Sequence, residues 1–381
     1  MSQEIRDIVL SSLSAIGANH EAKFYAELFA SQAPESFALV VIDPRCLKNP
    51  LLESLIGNLR ILSNLGLTPV LLVGALDDDH TSVRFQSQRL ARDMEQSNIG
   101  VVKLDTATYG LITDIRKVTR AGKLVVLEMT HRVKSMNLTK LASELMPNKI
   151  LFLQPSGGLT QNGARLETVT IDEVPILLGQ GCLSQGQTRF LQSVVTLDGN
   201  TESRRAYVIA SPLNLLTELF TTKGSGTLIR QKITMKSGRS FRSFNIRELQ
   251  NSIEGAFDKK IDTDFFKRNL HWGFIETEYR GGALFTQLAD LPYLSKFWVA
   301  KVARGEGIAS DIWDVICKDV PAFFWRSRME NPFNDWYMTA CDGMQVQGDW
   351  RVFWKGLDAA QIPLAIKVAS SAPDDFNPQN T

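Results

Sequence analysis

The sequence predicts two successive α/β domains, the first an α/β sandwich built on a largely parallel sheet. Three features carry this expectation. Short apolar runs alternate with helically spaced segments through the first two thirds, a polar stretch at 231–245 interrupts them, and a strand, a glycine turn, a helix and an arginine-bearing strand follow in order. At 381 residues the chain exceeds one ordinary core, and its 44% hydrophobic fraction can fill two.

Taken in order, residues 1–7 carry acids and lead into an amphipathic helix over about 5–29, unlike a signal or transit peptide. Residues 38–42 (ALVVI) read as a short buried strand, and 51–65 repeat apolar residues at helical spacing. Residues 66–74, 123–128 and 149–153 repeat the strand pattern, bounded by Gly, Pro and Lys. The tail from 370, rich in Ser, Pro and Asp, is expected to be disordered.

Net charge near +1 without a basic block argues against nucleic acid or an anionic membrane surface as partner. Small ligands are the expected partners. The four cysteines, Cys46, Cys182, Cys317 and Cys341, include no close pair, and the four histidines are dispersed, so neither a disulfide framework nor a metal site is expected. No apolar run approaches a membrane span. The expected location is the cytoplasm.

Chemistry concentrates after residue 290. If 322–328 is a strand, Arg326 and Arg328 project from one face, where two guanidiniums suit a small dicarboxylate. An edge strand displaying two solvated arginines is the alternative. Upstream, a strand at 292–302 runs into Arg304-Gly305-Glu306-Gly307-Ile308-Ala309, which fits Arg-x-x-Gly-x-Ala, and a helical pattern follows. Glycines there let backbone approach a ligand, and the N–H groups of the first helical turn point at an anion. The arrangement is a seat for a pyrophosphate.

Residues 228–369 resemble the acetyltransferase domain of the vertebrate-type N-acetylglutamate synthases, a branch of the GNAT superfamily also found in bifunctional synthase/kinases. The likeness rests on Pro292-Tyr293-Leu294-x-Lys296, Arg304-Gly305-x-Gly307, Phe324-Trp325-Arg326-Ser327-Arg328-x-x-Asn331-Pro332-x-Asn334-x-Trp336-Tyr337, Asp342-Gly343 and Trp350-x-x-Phe353-Trp354-x-Gly356-Leu357. Ser295 stands where an aspartate is usual and Cys341 where a serine is usual. The resemblance implies a GNAT fold over 231–369, acetyl-CoA as co-substrate and L-glutamate as acceptor. It implies Tyr337 as the general acid for the departing thiolate and Asn331 as the group that orients the amine. Arg326, Arg328 and Lys296, with Lys260 or Lys259, would hold the carboxylates. Arg304, Gly305, Gly307 and Ala309 would seat the coenzyme, and a backbone N–H near Val299 would steady the oxyanion.

Residues 37–229 resemble an amino-acid-kinase fold of the N-acetylglutamate kinase type. The matching pieces are Leu65-Gly66-Leu67-Thr68-Pro69-Val70, Phe152-Leu153-x-x-x-Gly157-Gly158-Leu159 and Leu216-x-Glu218-Leu219-Phe220-x-x-x-Gly224-Ser225-Gly226-Thr227-Leu228-Ile229. The domain is placed at 1–230. Its phosphate-binding turns are eroded: Asp43-Pro44-Arg45-Cys46 brings an acid and a proline where the kinases carry Lys-x-Gly-Gly, and Gly74-Ala75-Leu76 precedes three acids. Phosphoryl transfer is not expected. In arginine-sensitive relatives the region of Glu218, Gly224 and Gly226 helps form an arginine site, and an N-terminal helix mediates oligomer contacts. The likeness therefore implies L-arginine as effector and a homo-oligomer, dimer or tetramer. Two rivals stand beside this reading: a GNAT enzyme acting on another acidic amino acid or a polyamine, and a non-catalytic arginine-sensing or complex-forming protein.

Overall fold

The computed structural model describes residues 33–377 apart from 78, 131–133, 201–204, 221–223, 305 and 332. The chain divides into two compact units, 1–232 and 233–381. The expected N-terminal helix lies outside the described residues.

In the first unit strands and helices alternate: β1 (Leu39–Ile42), α1 (Leu51–Asn64), β2 (Val70–Val73), α2 (His80–Gln96), β3 (Val101–Asp105), α3 (Leu111–Arg120), β4 (Leu124–Glu128), α4 (Lys134–Leu145) and β5 (Lys149–Leu153). Three short strands follow, β6 (Thr160–Gln161), β7 (Ala164–Arg165) and β8 (Thr168–Thr170). After them come α5 (Val174–Gly179), α6 (Gln185–Gly199), β9 (Ala206–Ala210), α7 (Leu215–Phe220) and β10 (Thr227–Arg230). Eight strands form one sheet in the order β3-β4-β2-β1-β5-β9-β10-β8, parallel except where β10 meets β9. Its central strands read as unbroken apolar runs because both faces are covered. Val40, Ile42, Leu71 and Val73 pack with Leu55, Leu59 and Leu62 of α1, whereas Leu39, Val41, Val70 and Leu72 pack with Leu141, Phe190 and Val194.

The second unit contains β11 (Met235–Gly238), α8 (Ile246–Phe257), β12 (Trp272–Glu276), β13 (Gly281–Leu288), β14 (Leu291–Val299), α9 (Ile308–Asp319), β15 (Phe323–Arg328), α10 (Asn334–Ala340), β16 (Gly343–Gln347), β17 (Trp350–Lys355) and α11 (Ile362–Ser371). Its sheet runs β11-β12-β13-β14-β15-β17-β16. Among the described residues of this sheet only β14 and β15 pair in parallel, and they share one register pair, Tyr293 with Phe324, so the sheet opens between them.

Two expectations need correction. The polar stretch 231–245 is not an empty separator: it holds edge strand β11, paired with β12, and a 3-10 turn, Phe241–Ser243, whose Phe241 is buried against Phe265. An edge strand with one face toward water needs few apolar residues, which is why its composition resembles a linker. Nor is the tail disordered from 370. The helix α11 reaches Ser371, and the segment beyond it is tied down by Asp262 N–H to Asp375 O, Asn377 N–H to Lys260 O, and packing of Phe376 on Phe257.

Candidate active site

The glycine turn lies where the pattern placed it. Gly307, at φ +77°, caps the start of α9 and, as a glycine, offers no side-chain acceptor to the N–H groups of the first turn, which includes Ile308 and Ala309. Those amides keep their capacity for an anion. Gly305 lies outside the described residues. The Arg304 guanidinium donates to Val299 O at 3.2 Å and Ala256 O at 2.9 Å, so it braces the end of β14 against α8. The backbone amides of the first turn then remain to meet an anion.

Tyr337, on α10, is buried among Trp325, Phe353, Phe297 and Trp336. Burial pushes its phenol well above the usual tyrosine range, so it stays protonated at neutral pH. Asn331 lies just before α10, where its Oδ1 accepts from Phe333 N–H at 2.9 Å and its own N–H donates to Arg328 O. Asn334, whose role the sequence did not disclose, donates from Nδ2 to Arg328 O and Met329 O and clamps the end of β15 to the helix. That bond set explains the Asn-Pro-x-Asn spacing.

Arg326 and Arg328 share a face, as strand alternation requires, and both guanidinium carbons lie 3.8 Å from the centroid of the Trp350 ring. Neither stands free in solvent. Arg326 donates to Ala369 O and Ala372 O at 2.7 Å and to Pro373 O at 2.9 Å, closing the C-terminal end of α11. Arg328 pairs with Asp374 at 2.9 Å. Lys296, whose side chain is 4% exposed, pairs with Asp375, which also meets Arg268. The Lys296 ammonium lies 4.7 Å from the Phe265 ring centroid and 5.1 Å from that of Phe376. Burial lowers its pKa, and the carboxylate of Asp375 opposes that shift.

Three of the four predicted carboxylate-binding cations thus converge on one short segment, 372–376. Lys260 does not join them: its exposed ammonium pairs with Glu254 at 2.6 Å, and Lys259 is exposed as well. Beside the cluster is a cavity of about 590 Å³ lined in part by Arg239, Arg268, His271, Tyr293 and Asp375. Arg239 and Arg268 belong to no motif, so no local pattern singles them out. The cluster and Tyr337 lie on opposite faces of the sheet: Phe323 and Trp325 pack with Tyr337, whereas Phe324 packs with Tyr293 and α11 on the side of Arg326. The opening between β14 and β15 separates the two.

In the first unit the charged candidates serve the fold. Glu218 is buried, and its Oε2 accepts from Ser225 N–H at 2.8 Å and Gly226 N–H at 2.9 Å. A Cβ at Gly224 would meet Glu218 Oε2 at 2.7 Å, and one at Gly226 would meet Ile209 O at 2.2 Å. These glycines therefore admit the carboxylate and the neighbouring strand. Asp43 is held by both Nε and Nη2 of Arg45, and Asp79 caps α2 through Thr81 N–H and Ser82 N–H. No described helix is long and apolar enough to cross a membrane.

Comparison with known proteins agrees with this architecture. Residues 236–372 match the family described as NAT, N-acetyltransferase, of N-acetylglutamate synthase. The chain is 26% identical over 395 residues to an acetylglutamate kinase of Xylella fastidiosa, covering 88% of this chain and 94% of that one. It is 32% identical to the mitochondrial N-acetylglutamate synthase of Danio rerio over 62% of this chain and 47% of that one, and 30% identical to that of Homo sapiens over 68% and 49%. It thus matches about half the length of these vertebrate relatives. The N-acetylglutamate synthase of Neisseria gonorrhoeae, solved with coenzyme A and L-arginine, has the same fold, with a TM-score of 0.51 at 16% identity over 89% of this chain and 98% of that one. An amino-acid-kinase-like region followed by a NAT acetyltransferase domain makes this chain a homologue of the N-acetylglutamate synthases.

Proposed function

We propose that this chain transfers the acetyl group of acetyl-CoA to the amino group of L-glutamate, yielding N-acetyl-L-glutamate and coenzyme A, the first step of arginine biosynthesis. The observation that carries this reading is the convergence of Lys296, Arg326 and Arg328 on one side of an open strand pair, with the protonated phenol of Tyr337 on the other. A thioester entering through the opening has its pyrophosphate at the first turn of α9 and its sulfur toward α10. The guanidiniums fix the acceptor's carboxylates in bidentate geometry and hold the amine at the thioester carbon. A backbone N–H of β14 near Val299, on the edge that β15 leaves unpaired, stabilises the developing oxyanion. Asn331 orients the amine, water or a carbonyl takes its proton, and Tyr337 protonates the thiolate as the C–S bond breaks.

Coenzyme A release that depends on glutamate, with N-acetylglutamate identified by mass, tests this directly. A second reading, phosphorylation of N-acetylglutamate by ATP, is favoured by the kinase name of the Xylella relative. The self-paired Asp43 and Arg45 and the capping role of Asp79 oppose it, and N-acetylglutamate-dependent ADP formation would restore it. L-arginine as inhibitory effector belongs to the same proposal, supported by the ligand of the Neisseria synthase and checked by calorimetry. So do a homo-oligomer, dimer or tetramer, checked by sedimentation, and a cytoplasmic location, checked by fractionation.

A further inference from the structure

We propose that the C-terminal segment 372–376 is a built-in competitor for the acceptor site: Asp374 and Asp375 occupy the cations that would hold the two carboxylates of the substrate, and the acceptor binds by displacing them. This rests on the glutamate-acetylating reading above. Asp374 is paired with Arg328, and Asp375 with Lys296 and Arg268, while Arg326 holds three carbonyls at the root of the same segment. Two adjacent carboxylates thus satisfy the charges that a free dicarboxylate would satisfy.

The attachment of the segment is unequal along its length. Asp374 and Arg328 are half exposed, so their pair is screened and weak, whereas Asp375 and Lys296 are largely buried and Phe376 packs on Phe257. Beyond the Arg326 bonds to Ala372 O and Pro373 O, the backbone is held by Asp262 N–H to Asp375 O and Asn377 N–H to Lys260 O, with Ile261 and Phe376 forming an isolated bridge. Release of a short segment after a helix end costs little chain order, while the buried Lys296 cannot remain without a counter-ion. A carboxylate-bearing acceptor replaces that counter-ion; a neutral or cationic acceptor does not. The segment therefore sets specificity as well as affinity, because an acceptor's apparent affinity is reduced by the fraction of molecules with the segment closed.

The test measures coenzyme A release against glutamate concentration for the full chain and for its Asp374→Asn/Asp375→Asn variant. The glutamate concentration at half-maximal rate should fall about tenfold, as expected if one molecule in roughly ten has the site open before substitution, with turnover and the acetyl-CoA requirement unchanged. An unchanged or raised glutamate requirement overturns the proposal and leaves the segment as a brace. Should the unsubstituted chain release no coenzyme A with glutamate, the reading of the enzyme itself fails, which is a separate result. Because the variant could be poorly folded, hydrogen exchange on the unsubstituted chain with coenzyme A provides a second measure. Glutamate should speed exchange at Asn377 and Asp262, and unchanged or slower exchange there contradicts displacement.

Discussion

The two units use the same chemical pieces, acids, arginines and glycine turns, in opposite ways. In the first, the three acids at the former ligand-binding motifs have partners a few residues away: Asp43 takes Arg45, Asp79 takes the first turn of its own helix, and Glu218 takes the amides of Ser225 and Gly226. In the second, the cations come from separate strands, Lys296 from β14 and Arg326 and Arg328 from β15, and their partners lie 43 to 79 residues away, at the end of α11 and just beyond it. Locally closed charges stabilise a loop and present nothing. Charges gathered from distant elements onto one short segment, on the reading proposed above, make a site.

The largest expected break in this comparison is at the phenol. Tyr337→Phe should lower turnover about a hundredfold, within the range for a lost general acid, and leave the acetyl-CoA requirement in place. Unchanged turnover in a folded variant removes Tyr337 from the chemistry. Next comes Arg328→Ala, which removes one charge-assisted pair worth about 1.5–3 kcal/mol. Because the same change frees Asp374, part of the loss is offset, and the glutamate requirement should rise about tenfold with little change for acetyl-CoA. Equal loss for both substrates would mean that β15 had collapsed.

A smaller effect sharpens the other side. Glu218→Ala strands two N–H groups in the first unit and should cost about 1–3 kcal/mol of stability, read as a shifted denaturation midpoint, while glutamate kinetics stay unchanged. If stability were intact but the heat of arginine binding vanished, Glu218 would return as a ligand. The smallest expected effect is a flat one. Burial raises the folded pKa of Tyr337 above its unfolded value of about 10, so the phenol remains protonated, and its contribution to stability is full, below roughly pH 10 and lost above it. Turnover at saturating substrates should therefore show no alkaline fall below about pH 9 that Tyr337→Phe removes.

Much of this was legible in the sequence where a pattern is local. The apolar runs of β1, β2, β4 and β5, the α1 helix, and the strand–glycine turn–helix order around Gly307 follow from periodicity within a dozen residues. The shared face of Arg326 and Arg328 follows from strand alternation alone. What stayed hidden depends on distant partners. Nothing in Ser-Ala-Pro-Asp-Asp-Phe says that Lys296 and Arg268 await it, so the segment reads as disordered. The edge strand β11 reads as a linker because only its pairing with β12 gives it structure. Glu218 reads as a ligand because its spacing to Gly226 is the same whether the carboxylate faces a guanidinium or the amides of its own turn.

On the proposed function, the Lys296, Arg326 and Arg328 cluster selects a dicarboxylate acceptor for acetyl transfer. Coenzyme A release measured with acetyl-CoA across glutamate, aspartate, glutamine, lysine and a polyamine tests it most directly. Release is expected with glutamate, less with aspartate and none with the cationic acceptors. Equal release with lysine or the polyamine, or none with glutamate, would contradict it.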